Sequence, residues 1–224
     1  MLRTPCLVGL ALVLAGCASA PPITPDLRRG VHSVVFVQMG RQPLICGIDG
    51  ADGRFPPAAG RRPETAPATV RRLLKGYPLV RRVTRTVMPA LARAWQVPYQ
   101  PADLKVRAKD ELALTGGELK GLDSRADLAL LVFVYRLNLA RRSGAGDAAG
   151  TRQVRADIYT HMAAFRRQGD GRYRQVWHRS CWTGPRQMHV SRSLTRLLQD
   201  PSQARALWAD AAATAGAACA DDLH

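Results

Sequence analysis

Nowhere does this 224-residue chain hold an apolar run long enough to cross a bilayer as a helix, which takes roughly 20 residues. The best stretch, Leu7 to Leu14, breaks into small and polar residues and then prolines. Lysine is scarce: Lys75, Lys105, Lys109 and Lys120 are the only ones among 33 basic residues, so 29 (33 minus 4) are arginine. Acids number 17, and the formal charge is +16. An arginine excess of this kind, with abundant alanine, is what a GC-rich codon bias produces. As a functional feature it is a surface for phosphate or carboxylate groups, with a long-ranged, salt-sensitive attraction.

Several signatures of chemistry are missing. There is no G-x-S-x-G, so the nucleophile elbow of a serine hydrolase is excluded. Gly116, Gly117 and Gly121 lack the G-x-x-x-x-G-K-[ST] spacing of a phosphate loop. The cysteines fit no zinc framework, and His178, Cys181 and His189 have no fourth ligand nearby in sequence. Ser180-Cys181 shows no oriented base. Asp110-Glu111 and Asp221-Asp222 are adjacent carboxylates, which diverge in direction rather than converge. No catalytic residue, metal or cofactor is assigned. No midway linker and no internal repeat divide the chain, so one α+β domain is expected.

What is present begins at the amino terminus. Arg3, the apolar run and Leu14-Ala15-Gly16-Cys17 make a secretory signal. Those four residues resemble the lipobox of bacterial lipoproteins, L-[AS]-[GA]-C. That resemblance implies a diacylglycerol on the Cys17 thiol, cleavage before it and acylation of the new terminus. Ala18 in place of Asp implies sorting to the outer membrane, periplasmic face. Residues 1–16 are then signal, 17–29 a lipidated tether kept extended by Pro21, Pro22 and Pro25, and 30–224 the domain. An ordinary signal cut at Ala18-Ser19-Ala20 is the competing reading. Outside the cytoplasm nucleic acid is not an expected partner.

Alternation and periodicity outline the domain. Val31 to Met39, Pro43 to Ile48 and Leu104 to Arg107 read as extended, and 48–67 as a surface loop with Arg61 and Arg62 at its tip. From Thr69 to Trp95, Val70, Leu73, Leu74 and Tyr77 form one helical stripe and Val80, Val83, Val87, Leu91 and Trp95 another. This predicts two helices or one bent at Pro89, packed on the core with arginines outward. Thr115 to Arg125 reads as a turn and short helix. Ala126 to Ala140 reads as a central strand buried on both faces, followed by a strand over 154–164, a Gly169-Asp170-Gly171 turn and a last strand, Tyr173 to Trp182. A closing helix starts at Asp200-Pro201. The expected fold is two layers, a mixed sheet of about five strands with helices mainly on one face.

After Cys6 and Cys17, three cysteines remain. Cys219 shares the inward stripe of the closing helix, so Cys181–Cys219 is the expected disulfide; Cys46–Cys181 is the competing pair and three free thiols the remaining case.

The segments Ala126-Asp127-Leu128, Val176-Trp177 with Cys181, and Ala218-Cys219-Ala220 with Leu223 resemble a layout recurrent in an uncharacterised group of proteobacterial envelope lipoproteins. At fold level this is similar to the small domains of curli-secretion and synthase-activator lipoproteins, which bind proteins. The resemblance implies a non-catalytic accessory, membrane-attached through its lipid, that binds a protein partner in envelope assembly or transport. The alternative is a binder of anionic glycan or lipid, peptidoglycan or lipopolysaccharide, through arginine. An exposed apolar patch favours the first and one continuous arginine face the second.

Overall fold

The structure is a computed structural model, and it describes residues 22–39, 43–49, 66–107, 113–115, 117–141, 153–183 and 191–223. Leu14, Ala15, Gly16 and Cys17, the arginines at 61 and 62, and His189 lie outside these residues. Among the described residues the chain is an α+β fold with a mixed, curled sheet and helices packed against it.

The elements, in order, are α1 (Pro25–Arg28), β1 (Val34–Met39), β2 (Leu44–Asp49), α2 (Ala66–Leu74), α3 (Leu79–Ala94), β3 (Leu104–Arg107), β4 (Ala113–Thr115), β5 (Glu118–Lys120), β6 (Leu128–Arg141), β7 (Gln153–Arg167), β8 (Tyr173–Trp182), β9 (Arg192–Ser193), α4 (Leu194–Gln199) and α5 (Pro201–Asp221). The sheet runs β3-β1-β6-β7-β8-β5-β4, with β2 also on β6 and β9 also on β7. β3 falls where Leu104 to Arg107 reads as extended, and the sheet is wider than the five strands expected because β4, β5 and β9, of two or three residues each, are too short to show a period. β1 and β2 both pair parallel with β6, at 128–132 and 136–140, while β7 takes the whole opposite edge. The two therefore lie end to end along one edge of β6.

Two other expectations are corrected. The stretch before residue 30 is not wholly extended: Thr24 caps the single turn α1, with Pro25 at its first position. Ile23 and Leu27 pack against the core, and Arg166 donates to the Leu27 carbonyl at 2.6 Å. The expected helix within 115–125 is instead the β4–β5 hairpin, turned at Gly117 with φ +79°, which a helix does not accept.

Strand β6 is the centre. Leu128, Leu130, Val132 and Val134 face the helices, and Ala129 and Leu131 are equally buried on the other side. A bulge at Tyr135 then shifts the register between Val134 and Arg136, so the helix-facing residues become Leu137 and Leu139. A second bulge, at Val176, does the same in β8 and turns Trp177 and Cys181 to the helices. Without these one-residue slips, half of each strand would present its polar set to the core.

On the helix layer, Val83, Val87, Leu91 and Trp95 are buried as their spacing predicts, and α3 continues through Pro89 instead of breaking there. Asp200 caps α5, accepting from the Ser202 amide at 2.8 Å. The small residues of α5 serve its contact with α3 most of all. A Cβ on Gly216 would lie 2.6 Å from the Thr86 Cβ, so the two helices meet where only hydrogen fits.

Asp127 locks the start of β1 to the start of β6. Its Oδ2 accepts from the His32 and Ser33 amides, both at 2.9 Å, and from Ser33 Oγ at 3.0 Å. These bonds, the His32 amide foremost, hold its carboxyl below the usual aspartate range. A carboxylate with a lowered folded pKa contributes stability that is present above its unfolded pKa and lost as pH falls through the folded one. Asp127→Asn keeps the acceptor but removes the charge. The stability gap between wild type and variant, followed by urea melts across acid pH, is expected to close as the medium becomes more acidic; a gap constant with pH would refute this role.

Candidate functional site

The apolar stripes of α2 and α3 are taken by the core, which forces their remaining residues outward. Between residues 66 and 102 those include seven cations and no acid. Arg81, Arg82, Arg85 and Arg93 are exposed along α3, and Arg71, Arg72 and Lys75 continue the face onto α2 and the turn after it. The codon-bias reading explains arginine in general; it does not explain the clearing of acid from one face.

The turn joining the two helices shapes a cleft. Gly76, with φ +76°, ends α2 in the left-handed conformation, and the Tyr77 amide donates back to the Leu74 carbonyl at 2.9 Å. Pro78 then occupies the N-cap position of α3 without a side-chain cap, and no acid stands in the first turn. The result is a cleft of about 790 Å³ between this turn, β2 and β6. Its walls are Ile45, Leu74, Leu79 and Val80, with Leu137 of the central strand at the base. Arg71, Arg72, Lys75 and Arg81 line it as well, and among the described residues the lining contains no acid. The volume lies within the roughly 300–1,000 Å³ usual for small-molecule sites.

Tyr77 stands beside the cleft with the Arg82 guanidinium 5.3 Å above its ring. Burial pushes its phenol up, against the pull of Arg82, so the ring stays neutral. Asp210 also acts on Tyr77, but its carboxylate lies 3.4 Å from Arg192. The electrostatic sum at the cleft is therefore positive.

The opposite face of the sheet carries a second cluster. Register places Phe133, His161 and Ser180 side by side across β6, β7 and β8, and Tyr159 beside Trp182. The Tyr159 and Trp182 rings stack at 5.5 Å, Arg136 lies 5.0 Å over Tyr159, and His161 stacks on His178 at 5.6 Å. Burial, with His178 adding to it, lowers His161 to about 4, so its imidazole is neutral at neutral pH. Its Nδ1 lies 3.0 Å from Ser180 Oγ. Ser180 thus has an imidazole beside it that sequence spacing did not reveal.

The structure separates the histidine–cysteine set considered as metal ligands. His178 belongs to this outer face, whereas Cys181 points to the helices and is bonded to Cys219, with Cα atoms 5.3 Å apart. Among the described residues no group of three or more His, Cys, Asp or Glu is placed to hold a metal. With Cys181 taken by Cys219, the competing Cys46–Cys181 bond does not form. Among the described residues no helix is long and apolar enough to cross a membrane.

Sequence reasoning missed the cleft because its walls come from positions 43–45, 71–81 and 137. The available signal was the acid-free basic stretch flanking Gly76, between two apolar stripes. Compared with protein-family models, curated proteins and solved structures, the chain matches none of them.

Proposed function

We propose that the chain is a non-catalytic envelope lipoprotein, tethered through Cys17 to the periplasmic face of the outer membrane, whose domain binds anionic envelope lipid or polymer. The carrying observation is the continuous basic face of α2 and α3, exposed, free of acid among the described residues and gathered around an apolar cleft. Arginine suits this role because its planar fork pairs with phosphate or carboxylate through two parallel hydrogen bonds. Binding of a protein partner is the second reading. It is supported by Trp182, which is 45% exposed and stacked on Tyr159 in the cluster opposite the helices. Among the described residues the other large exposed apolar side chain, Val106 at 61%, lies on β3, two strands beyond β6 on the far side from β8, so the two do not form one patch.

The test uses the full chain carrying Cys17→Ser, so that no lipid of its own confuses the assay. It is expected to sediment with phosphatidylcholine vesicles containing phosphatidylglycerol, not with phosphatidylcholine alone, and to be released by salt. A basic residue near an anionic surface contributes about 1 kcal/mol, so Arg81→Ala with Arg85→Ala should weaken partition by about thirtyfold. Partition that ignores headgroup charge, or that the double substitution leaves unchanged, would overturn the reading.

A further inference from the structure

A basic helix face suffices to hold a protein on an anionic surface and needs no cleft. This one opens a cavity at its middle, and the cavity wall is the chemical opposite of its rim. Ile45, Leu74 and Val80 present partly buried hydrocarbon, and the base reaches Leu137, inside the sheet core. Arg71, Lys75 and Arg81 stand on the same cleft. Another cavity among the described residues offers no such division: about 360 Å³, it is lined by Glu118, Lys120 and Arg172, charges of both signs.

We infer that the cleft between β2 and the α2–α3 turn holds one acyl chain of a single anionic amphiphile, with its phosphate or carboxylate on Arg71, Lys75 and Arg81. This rests on the proposed binding of anionic lipid and narrows it from a membrane surface to one molecule. Charge complementarity selects the head, since among the described lining residues a neutral or cationic head would meet four cations and no acid. Burial selects the tail, because each methylene moved from water into an apolar wall tightens binding about fourfold. Apolar wall beneath a cationic rim matches the two ends of such a molecule and matches neither a free phosphate nor a glycan strand.

Titration with lysophosphatidylglycerols of increasing chain length, each kept below its micelle concentration, tests the inference on the full chain carrying Cys17→Ser. One lipid per chain is expected. Kd should fall about fourfold per methylene until the cleft is full and then level off. Lysophosphatidylcholine of equal length should bind about five- to thirtyfold more weakly, the loss of one to two surface charge contacts. Val80→Trp, which fills the cleft from its wall, should abolish the chain-length dependence while leaving salt-sensitive partition onto anionic vesicles. A Kd independent of chain length, or inorganic phosphate that displaces the lysolipid at equal concentration, overturns the inference and makes the site one for phosphate alone. In that case retained vesicle binding leaves the surface-binding proposal standing. Tight lysolipid binding without vesicle partition would instead remove that proposal and keep the cleft.

Discussion

Replacing both Cys181 and Cys219 by alanine is expected to lower stability by about 4 kcal/mol. The two residues are separated by 38 positions, and in the chain-entropy account a loop of that length, left open in the unfolded state, costs about this much. A domain's net stability is about 5–15 kcal/mol, so the loss takes a quarter or more of it. The bond fastens β8 to α5, and both cysteines are buried in the main core. Alanine is the better replacement, since serine would leave a buried hydroxyl without a partner. Guanidinium unfolding of the intact chain, with and without reductant, measures the same quantity without mutation. Coincident curves with and without reductant would show that the bond does not hold the domain together.

The second large loss is expected from Trp208→Ala, about 3–5 kcal/mol. The side chain is fully buried on α5, and its Nε1 donates to the Leu73 carbonyl at 3.1 Å. That carbonyl lies in the last turn of α2, where backbone acceptors have no partner within the helix. One residue therefore fills the interior and completes the end of the helix that precedes the cleft. Trp208→Phe separates the two contributions: it keeps much of the ring but strands the carbonyl, an expected cost of about 1–3 kcal/mol. If urea melts rank phenylalanine level with wild type, the indole hydrogen bond is immaterial; if alanine costs under about 1 kcal/mol, the packing account fails.

These two predictions also mark how much of the molecule could be read in one dimension. The Cys181–Cys219 pair followed from the helical stripe through Leu207, Trp208 and Ala215, because a period of 3.6 places residues on a face whatever the rest of the fold does. Asp200-Pro201 announced the start of α5 through local capping chemistry, and the run from Leu128 to Val134 announced a strand buried on both sides. The bond from Trp208 to Leu73 spans 135 residues and had no local sign. The same holds for His161 beside Ser180, which strand register decides, and for the one-residue slips at Tyr135 and Val176 that keep the helix-facing side apolar.

For the site the division is sharper. Sequence determined that the surface of α2 and α3 would be basic, because residues that cannot enter the core must face water. The resemblance of Leu14-Ala15-Gly16-Cys17 to a lipobox is likewise local and needs no fold. Tertiary structure alone decided that this basic surface surrounds a hole. β2 lies on the edge of β6 beyond the end of β1, and the α2–α3 turn stands over Leu137, so three distant segments leave about 790 Å³ between them. A cavity is a property of the space between elements, set by how far their side chains reach toward one another. Periodicity places residues on faces, but the distance between two faces is a long-range packing outcome.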